Sequence, residues 1–400
     1  MTENGITFVG MDAHKQAINV AMLLPGQSQA VEWLVANEPG AIRRLAKKLE
    51  REAPGEVRCC YEAGPCGYAL QRELQHVGGI ICEVVAPSLI PVKPGERIKT
   101  DRRDARKLAE LLRADLLTEV HTPTVEQEAV RDLGRGREDA QEDLTRARQR
   151  MGKFLLRRAL MFTASKRAWG QLHRQWLRGL RFEYAADQAV FDDYLLGIEQ
   201  LEERVRTLET KLIAAAEQAP YREPVGWLRC FRGIDTVTAI TLVAELHDFR
   251  RFATARALMA YLGLVPSEYS SGLSRHRGSI TKTGNRHVRR VLVETAWHYR
   301  HRGKAGKILR ARRQDQPGSV IALAERAQER LYRRFRHLEE SGKPRPKVVV
   351  AITRELVGFL WAAMLPANRA AQAKQTMTQG SRRSTIAALR SKTEVVSLNR

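Results

Sequence analysis

Two aspartates three residues apart, Asp101 and Asp104, have the spacing that first suggests chemistry in this sequence. Apolar residues with helical spacing follow them, and residues three apart share one face of a helix, so both carboxylates can point to one place. The flanking residues are basic: Lys99, Arg102, Arg103, Arg106 and Lys107. Acidic pairs in basic surroundings suit a protein that holds a divalent cation against a phosphate backbone. Alternatively, Asp101 only caps a helix with an acidic first turn, and the pair taken alone favours this interpretation.

Two further acids end predicted strands. Residues 6–12 form a short apolar run that ends in Asp12, and residues 56–62 form another that ends in Glu62. If these strands are neighbours, the two carboxylates lie side by side and can converge with the helical pair. Four carboxylates without counter-charges repel one another, and divalent cations relieve that repulsion. Each acid alone is better explained as a turn or surface residue, but their order together predicts a site for Mg²⁺ ions that serve phosphoryl transfer.

The elements around these acids predict an α/β domain over residues 1–123. Three strands come first, and helices and strands then alternate, which is typical of a mixed sheet with helices on its faces. The predicted strands span residues 6–12, 17–24, 32–35, 56–62 and 79–86, and the predicted helices span residues 39–52, 67–77 and 101–112.

Residues 124–225 read as a helical spacer that contains a heptad pattern. Its apolar positions alternate spacings of three and four: Phe191, Tyr194, Ile198, Leu201, Val205, Leu208 and Leu212. Such a seam packs on the preceding helix of the same chain or on another copy, and we favour self-association. In the same spacer, Trp169 and Trp176 lie among many Arg and Lys residues. They either stack on unpaired bases or fill a seam between helices, and the sequence favours neither.

Residues 226–365 are predicted to form a mostly α-helical domain with two features that suit contact with phosphate. A turn at Gly233 followed by Asp235 or Thr236 as a cap indicates a helix–hairpin–helix start, although an ordinary turn between helices fits equally well. A later loop combines Ser270 and Ser271 with glycines and many basic residues: Arg275, Arg277, Lys282, Arg286, Arg289 and Arg290. The loop lacks the Gly-x-Ser-x-Gly pattern of esterases. From composition alone, a phosphate-binding loop without covalent chemistry is favoured over attack of a serine on phosphorus.

Composition points to a polyanionic partner. The net charge is +23, and residues 1–120 are neutral with 16 basic and 16 acidic residues, so residues 121–400 hold the whole excess. The five cysteines form no C-x-x-C pair, so neither a zinc site nor a disulfide framework is indicated, and they fit a reduced cytoplasm. The apolar run over residues 348–365 is broken by Arg354 and Glu355, so we expect no membrane span. Residues 366–400 are predicted to be a basic, flexible tail.

Three strings in the first domain resemble a known family: Gly10-x-Asp12, Tyr61-Glu-Ala-Gly64 and Lys99-Thr-Asp-x-x-Asp-Ala105. They are similar to the DEDD, RuvC-like (RNase H-like) domain of the insertion-sequence transposases that are bridge-RNA-guided recombinases. The later strings Gly263-Leu-x-Pro, Tyr269-x-Ser-Gly and Gly278-x-Ile-x-Lys-x-Gly-x-x-x-x-Arg resemble the serine transposase domain of the same family.

The resemblance implies a function for each part of the chain. The metal-binding acids are implied at Asp12, Glu62, Asp101 and Asp104, with Mg²⁺ as the ion. The catalytic serine is the one before glycine, Ser271, with Ser270 beside it as the alternative. A structured bridge RNA pairs with donor and target DNA, and Ser271 forms a phosphoserine intermediate. A coiled coil joins the two domains, and sites are assembled from two subunits of a dimer or tetramer. We expect such a protein in the bacterial cytoplasm, associated with the nucleoid.

Two other functions remain open from the sequence. A metal-dependent endonuclease of the Holliday-junction type uses the four acids to activate water and leaves no protein attached to DNA. A nucleic-acid-binding protein without enzymatic activity has the same four acids, but they no longer have a function.

Overall fold

The chain divides into two units, Met1–Thr124 and Val125–Arg400, which have separate hydrophobic cores. The computed structural model describes residues 5–76, 79–92, 100–165, 167–270, 274, 276–303 and 305–365. The tail predicted over residues 366–400 lies outside these residues.

The first unit is a mixed sheet with helices on both faces, as predicted. Its strands are β1 (Thr7–Ala13), β2 (Ala17–Leu23), β3 (Val31–Ala36), β4 (Val57–Glu62) and β5 (Ile80–Val85), and its helices are α1 (Pro39–Glu52), α2 (Ala69–Gln75) and α3 (Asp101–Arg113). The strand order is β3-β2-β1-β4-β5. The first three strands pair antiparallel, and β4 and β5 extend the sheet in parallel with β1. This arrangement is compatible with an RNase H-like DEDD domain.

Alternation along the strands divides the sheet into two packed faces. Side chains at odd positions of β1 and β4, such as Met11 and Tyr61, pack with α1 and α2. Those at even positions, such as Phe8 and Cys60, pack with Leu108 of α3. Because Asp12 and Glu62 are also even-numbered, they lie on the face that α3 covers.

Gly10 allows α3 to lie directly on β1. A Cβ atom at Gly10 would lie 2.0 Å from the carbonyl oxygen of Ala105 and 2.4 Å from the amide nitrogen of Ala109. Both are backbone atoms on the buried face of α3, so a side chain here displaces the whole helix rather than one rotamer. The glycine of the Gly10-x-Asp12 string therefore sets the height of α3 above the sheet.

We expect Gly10→Ala to destabilise the first unit by about 3 kcal/mol, because the added methyl group overpacks a rigid contact. The thermal unfolding midpoint of that unit should fall by roughly 10 °C, measured by calorimetry on the full chain. Gly40→Ala is the control, since a Cβ there meets only the end of the Arg44 side chain at 3.6 Å. Equal midpoints for the two variants would contradict this role of Gly10.

The second unit is mostly helical. Its long helices are α4 (Val125–Leu156), α6 (Ala185–Ala216), α12 (Gly318–Glu340) and α13 (Arg345–Met364), and its shorter helices are α5 (Gln171–Gly179), α7 (Arg222–Leu228), α8 (Thr236–Leu246), α9 (Ala255–Tyr261), α10 (Arg286–Ala296) and α11 (Lys307–Arg313). A hairpin of β6 (Pro266–Glu268) and β7 (Arg277–Ile280) lies between α9 and α10. The turn before α8 contains Gly233 with φ +81°, and Asp235 caps α8 by accepting from the amide of Thr238 at 2.8 Å.

The heptad seam of α6 packs on α4 of the same chain, which is one of the two partners that the sequence allowed. Phe191, Ile198 and Val205 are buried in one cluster with residues of α4 such as Leu144 and Met151. Ion pairs link Arg137 to Glu209 and Arg148 to Glu202 between the helices, and Arg158, just after α4, to Asp187. This order makes the helices antiparallel. The heptad spacing predicts the apolar stripe of α6 correctly. It does not identify the helix that covers the stripe, because the spacing describes α6 alone.

Helix α13 confirms that the apolar run near residue 350 is part of a core. Val348, Ile352, Leu356 and Leu360 are buried against the rest of the second unit. Among the residues that the structure describes, no helix is long and apolar enough to cross a membrane.

Candidate metal centre and serine hairpin

The strand register brings the two strand-end acids to the same edge of the sheet. In the parallel pair of β1 and β4, Met11 lies opposite Tyr61. Asp12 and Glu62 follow these residues by one position, and both belong to the face covered by α3. Glu62 ends β4 and is exposed, whereas Asp12 is half-buried with 19% of its side chain exposed.

Thr100, and not Asp101, is the N-cap of α3. The Thr100 hydroxyl accepts a hydrogen bond from the Arg103 amide at 3.4 Å. Asp101 and Asp104 therefore occupy the first turn of the helix, on the face that continues into Ala105 and Leu108. The capping interpretation of Asp101 is wrong.

Asp12 and Asp101 come together with a third residue, His14. The Nε2 atom of His14 lies 3.1 Å from Oδ2 of Asp12 and 3.7 Å from Oδ1 of Asp101. Each of the three residues offers one ligand-type atom, and these atoms lie within 4.8 Å of one another. Asp104 is close enough to Asp12 for its charge to act on it. Neither Asp104 nor Glu62 belongs to this group of three in the described part of the chain.

The electrostatics of this cluster favour a cation. Burial raises the pKa of Asp12 above its usual value, and the charges of Asp101 and Asp104 raise it further, whereas His14 lowers it. A carboxylate that neighbouring acids make harder to ionise is stabilised by a divalent cation, and the donors here are the oxygen and imidazole ligands that such ions accept. The residues present therefore fit a divalent metal.

His14 is a functional candidate that the sequence reasoning missed. It lies two positions after Asp12, directly after the last residue of β1. The string Asp12-Ala-His14 contains that spacing. A metal site predicted from carboxylates alone leaves this histidine out.

Two ion pairs fix α3, the helix that supplies Asp101 and Asp104. Glu32 of β3 accepts hydrogen bonds from Arg102 and from Arg106, the latter at 2.6 Å between Nε and Oε1. The Glu32 side chain is only 4% exposed. Although burial raises the pKa of Glu32, hydrogen bonds from Arg106 and Arg102 hold it below its usual value. The first turn of α3 is therefore tied to the sheet on both sides of Asp104.

We expect Glu32→Gln to weaken divalent-metal binding by about tenfold to hundredfold, because the acids of α3 lose their fixed orientation. Titration calorimetry with Mn²⁺ measures this affinity. The folded-state pKa of Glu32 lies below its unfolded value, so the clamp stabilises the unit above the unfolded pKa and is lost as the pH falls through the folded value. Glu83→Gln is the control, since Glu83 pairs with Arg58 and not with α3. Equal metal affinities in the two variants would contradict the clamp.

In the second unit, two glycines allow the chain on either side of the β6–β7 hairpin to pack closely. A Cβ at Gly263 would lie 2.4 Å from the backbone of Thr283, and a Cβ at Gly284 would lie 1.8 Å from the carbonyl oxygen of Tyr261. The segment before β6 and the segment after β7 are thus joined backbone to backbone. This contact holds the base of the hairpin whose connecting residues include the two serines.

The predicted nucleophile, Ser271, lies outside the described residues, in the sequence between β6 and β7. Its neighbour Ser270 donates a hydrogen bond to Oε1 of Glu268 at 2.8 Å. Arg275 is also outside the described residues, and Arg277 begins β7.

The remaining basic candidates divide into two groups. Arg289 donates to the carbonyl oxygens of Leu262 and Thr283, at 3.0 Å and 2.9 Å, and Arg290 pairs with Glu138 and Glu294. Lys282 and Arg286 are exposed, with no ion pair to any described residue. We therefore expect Lys282 and Arg286 to be the more available for phosphates.

Helix α10, which begins at Arg286, is held by a buried carboxylate. Asn285 caps the helix through the Val288 amide and donates to Glu245 at 2.7 Å. Glu245 also receives two hydrogen bonds from Arg135 of α4. Burial raises the pKa of Glu245, but hydrogen bonds from Arg135 and Asn285 keep it below its usual value. This ionised carboxylate ties α4, α8 and α10 together beneath the basic segment.

Comparison with known proteins finds matches in both units. A family model described as "Transposase IS116/IS110/IS902 family" matches residues 227–309, and a DEDD-type transposase model matches residues 9–159. The putative transposase y4qE of Sinorhizobium fredii is 40% identical over 361 residues, which cover 89% of this chain and 87% of the relative. The transposase for insertion sequence element IS1533 of Leptospira borgpetersenii is 38% identical over 339 residues, 84% of this chain and 97% of the relative. The matched ranges include the four acids and Ser271.

Proposed function

Because the chain belongs to the IS116/IS110/IS902 family of transposases, we propose that it is an RNA-guided DNA recombinase that moves its own insertion sequence. Its general activity follows from the family: it is an enzyme that acts on DNA. The guide is a structured bridge RNA that pairs with donor and target DNA. Base pairing then reads the sequence, while the protein contacts the shape and backbone of the nucleic acids.

The observation that supports this proposal most directly is the convergence of Asp12 and Asp101 at one edge of the sheet, with Asp104 and Glu62 on the same face. The DEDD type of the domain implies dependence on a divalent metal. We propose Mg²⁺ as the ion and these four acids as its ligands. When bound, such ions polarise phosphoryl oxygens and stabilise the charge that develops in phosphoryl transfer. The acids position the site, and Gly10 and Glu32 fix the helix that supplies two of them.

Ser271 is proposed as the nucleophile. Its hydroxyl oxygen gives up its proton as it attacks a DNA phosphorus and forms a phosphoserine bond. The bond between that phosphorus and a sugar oxygen breaks, and the released sugar oxygen takes up a proton. A sugar hydroxyl of the exchanged strand then attacks the phosphoserine and releases the protein. The neighbouring cations that contact the phosphates are proposed to be Arg275, Arg277, Lys282 and Arg286, with Arg289 and Arg290 supporting the segment.

The working assembly is proposed to be a dimer or tetramer, as the resemblance of the sequence to bridge-RNA-guided recombinases implies. We do not assign its interface to the seam of α6, because residues of that seam pack on α4. Sedimentation of the full chain with and without nucleic acid tests the assembly. A monomer in every condition would contradict it.

Denaturing electrophoresis of a reaction on DNA from the ends of the element tests the central claim. Protein covalently attached to DNA supports the serine mechanism, whereas nicked DNA without attached protein supports a junction-type endonuclease that uses the acids alone. Sequencing of RNA that copurifies with the chain tests the guide. Random cellular RNA, with no enrichment from the element, would contradict RNA guidance.

A further inference from the structure

The end of the α4–α6 helical hairpin is strongly basic. Residues 144–182 contain 11 Lys and Arg residues and no Asp or Glu. Several of these cations pair with acids outside the segment, for example Arg158 with Asp187 and Arg174 with Glu202. Lys153, Arg157 and Arg167 are exposed and have no ion pair with any residue that the structure describes. The hairpin end therefore has positive charge that no described residue of the chain neutralises.

A cleft of about 610 Å³ with aromatic residues in its walls lies in the same segment. Its walls include Met161, Phe162, His173 and Trp176. The ring centroids of Phe162 and Trp176 are 5.5 Å apart, and His173 stacks on Trp176 at 5.6 Å with an interplanar angle of 29°. Three exposed cations are next in sequence to residues that line the cleft: Lys153 follows Gly152, Arg157 follows Leu156, and Arg167 precedes Ala168. A volume of this size admits a planar organic group.

The two tryptophans of this segment have different surroundings. Trp169 does not line the cleft: the guanidinium of Arg148 covers its ring at 5.0 Å, and His173 packs edge-on against it. Trp176 also packs on the hydrophobic core of the hairpin, but it lines the cleft as well. Trp169 thus fills a seam, and Trp176 is available for stacking.

His173 adds a polar contact to the cleft. Its Nδ1 accepts a hydrogen bond from the Trp169 amide at 3.1 Å, so the neutral ring has its proton on Nε2. Burial lowers the pKa of His173, and the charge of Arg174 lowers it further, so the ring is neutral near pH 7. A neutral imidazole with an N–H donor suits the edge of a nucleobase.

We propose that this cleft binds an unpaired base from a loop of a folded RNA, which stacks against Phe162 and Trp176 while Lys153, Arg157 and Arg167 contact the adjoining phosphates. Aromatic faces bind bases of any sequence, and the cations follow the backbone. Duplex DNA keeps its bases stacked inside, whereas loops and bulges of folded RNA present unpaired bases to aromatic side chains. The inference rests on the proposed function in one respect, namely that an RNA is the partner of the chain.

The test uses the full-length protein and an RNA hairpin with 2-aminopurine in its unpaired loop. We expect Trp176→Leu and Phe162→Leu each to weaken binding of this RNA by about tenfold and to abolish quenching of the probe on binding. Binding of the same RNA with its loop closed into a continuous duplex should be unchanged. Removing charge by Lys153→Gln with Arg157→Gln should weaken binding of both RNAs and reduce the salt dependence.

Tyr184→Leu is the matched control, because Tyr184 is an exposed aromatic residue that does not line the cleft. Thermal unfolding of each variant identifies any loss of packing, and Phe162→Leu serves if Trp176→Leu unfolds. Unchanged affinity for the loop RNA in both leucine variants, or equal losses for loop and duplex, would overturn the proposal. Single-stranded DNA that binds as tightly as the RNA loop and shows the same losses would overturn the assignment to RNA. A change in oligomeric state with unchanged RNA affinity would identify the cleft as a protein contact instead.

These outcomes are distinct from failure of the proposed function. Wild-type protein that binds no RNA contradicts RNA guidance as a whole, whereas wild-type binding that survives the leucine variants contradicts the cleft alone. Adduct formation at Ser271 is a separate measurement that does not use this RNA probe.

Discussion

Ser271→Ala should abolish the covalent protein–DNA adduct and reduce strand transfer by at least about 10³-fold, because the variant lacks the only atom that can form the phosphoserine bond at that position. Binding of RNA and DNA should be unchanged, since the hydroxyl is a small part of any nucleic-acid contact. The adduct is measured by denaturing electrophoresis of labelled DNA, and binding by anisotropy on the same samples.

Ser270→Ala is the matched control for this result. Ser270 is one residue away and donates its hydroxyl hydrogen bond to Glu268 at 2.8 Å. If the adduct persists in Ser271→Ala and disappears in Ser270→Ala, the nucleophile is Ser270, and Glu268 becomes the group that accepts its proton. If both variants keep DNA cleavage without any adduct, the serine mechanism is wrong, and the acids alone perform the reaction.

Asp12→Asn and Asp101→Asn should each reduce strand transfer by about 10²- to 10³-fold and weaken divalent-metal binding. Each substitution removes a negative charge from the cluster, and the metal contribution to phosphoryl transfer is several kcal/mol. Asp12 should be the more sensitive of the two, because it is more buried and the charges of both Asp101 and Asp104 act on it. Chelation with EDTA should suppress the wild-type activity, and added Mg²⁺ should restore it.

Glu50→Gln provides the control for these carboxylates. Glu50 is an exposed acid on α1, which covers the opposite face of the sheet from α3. Calorimetric titration with Mn²⁺ should give the wild-type curve for Glu50→Gln and a weaker one for Asp12→Asn and Asp101→Asn. Identical curves for all of the proteins would support a nucleic-acid-binding protein with vestigial acids. His14→Ala adds information here, because a ligand role for His14 predicts weaker metal binding in that variant.

Much of the first unit could be predicted from local patterns. Strand alternation and turn residues located β1, β2 and β4 within one or two residues, and the spacing of Leu108 and Leu112 located α3. These features depend on neighbours in the sequence, which is why a single sequence reveals them. The Gly10-x-Asp12 string supports the family resemblance. It does not reveal the close contact of Gly10 with Ala105, which belongs to a helix 95 residues later.

The features that the sequence could not determine all involve partners that are distant along the chain. Nothing near Glu32 in the sequence indicates a structural role, because its partners Arg102 and Arg106 lie about 70 residues later. The heptad of α6 specifies an apolar stripe, but only the antiparallel placement of α4 shows that the stripe is covered within the chain. Likewise, Trp169 and Trp176 both lie in a segment rich in Arg and Lys, and only their packing shows that Trp176 lines a cleft.

By itself the sequence determined the order of strands and helices in the first unit, the identity of its acids and the excess of positive charge after residue 120. Tertiary structure decided that His14 lies between Asp12 and Asp101, which helix the α6 stripe covers, and which basic side chains are engaged within the chain. The physical reason is the distance along the chain over which each kind of interaction acts. Propensity and periodicity act over a few residues, whereas a metal site, a helix seam or an ion pair depends on distances across the fold that spacing along the chain does not specify.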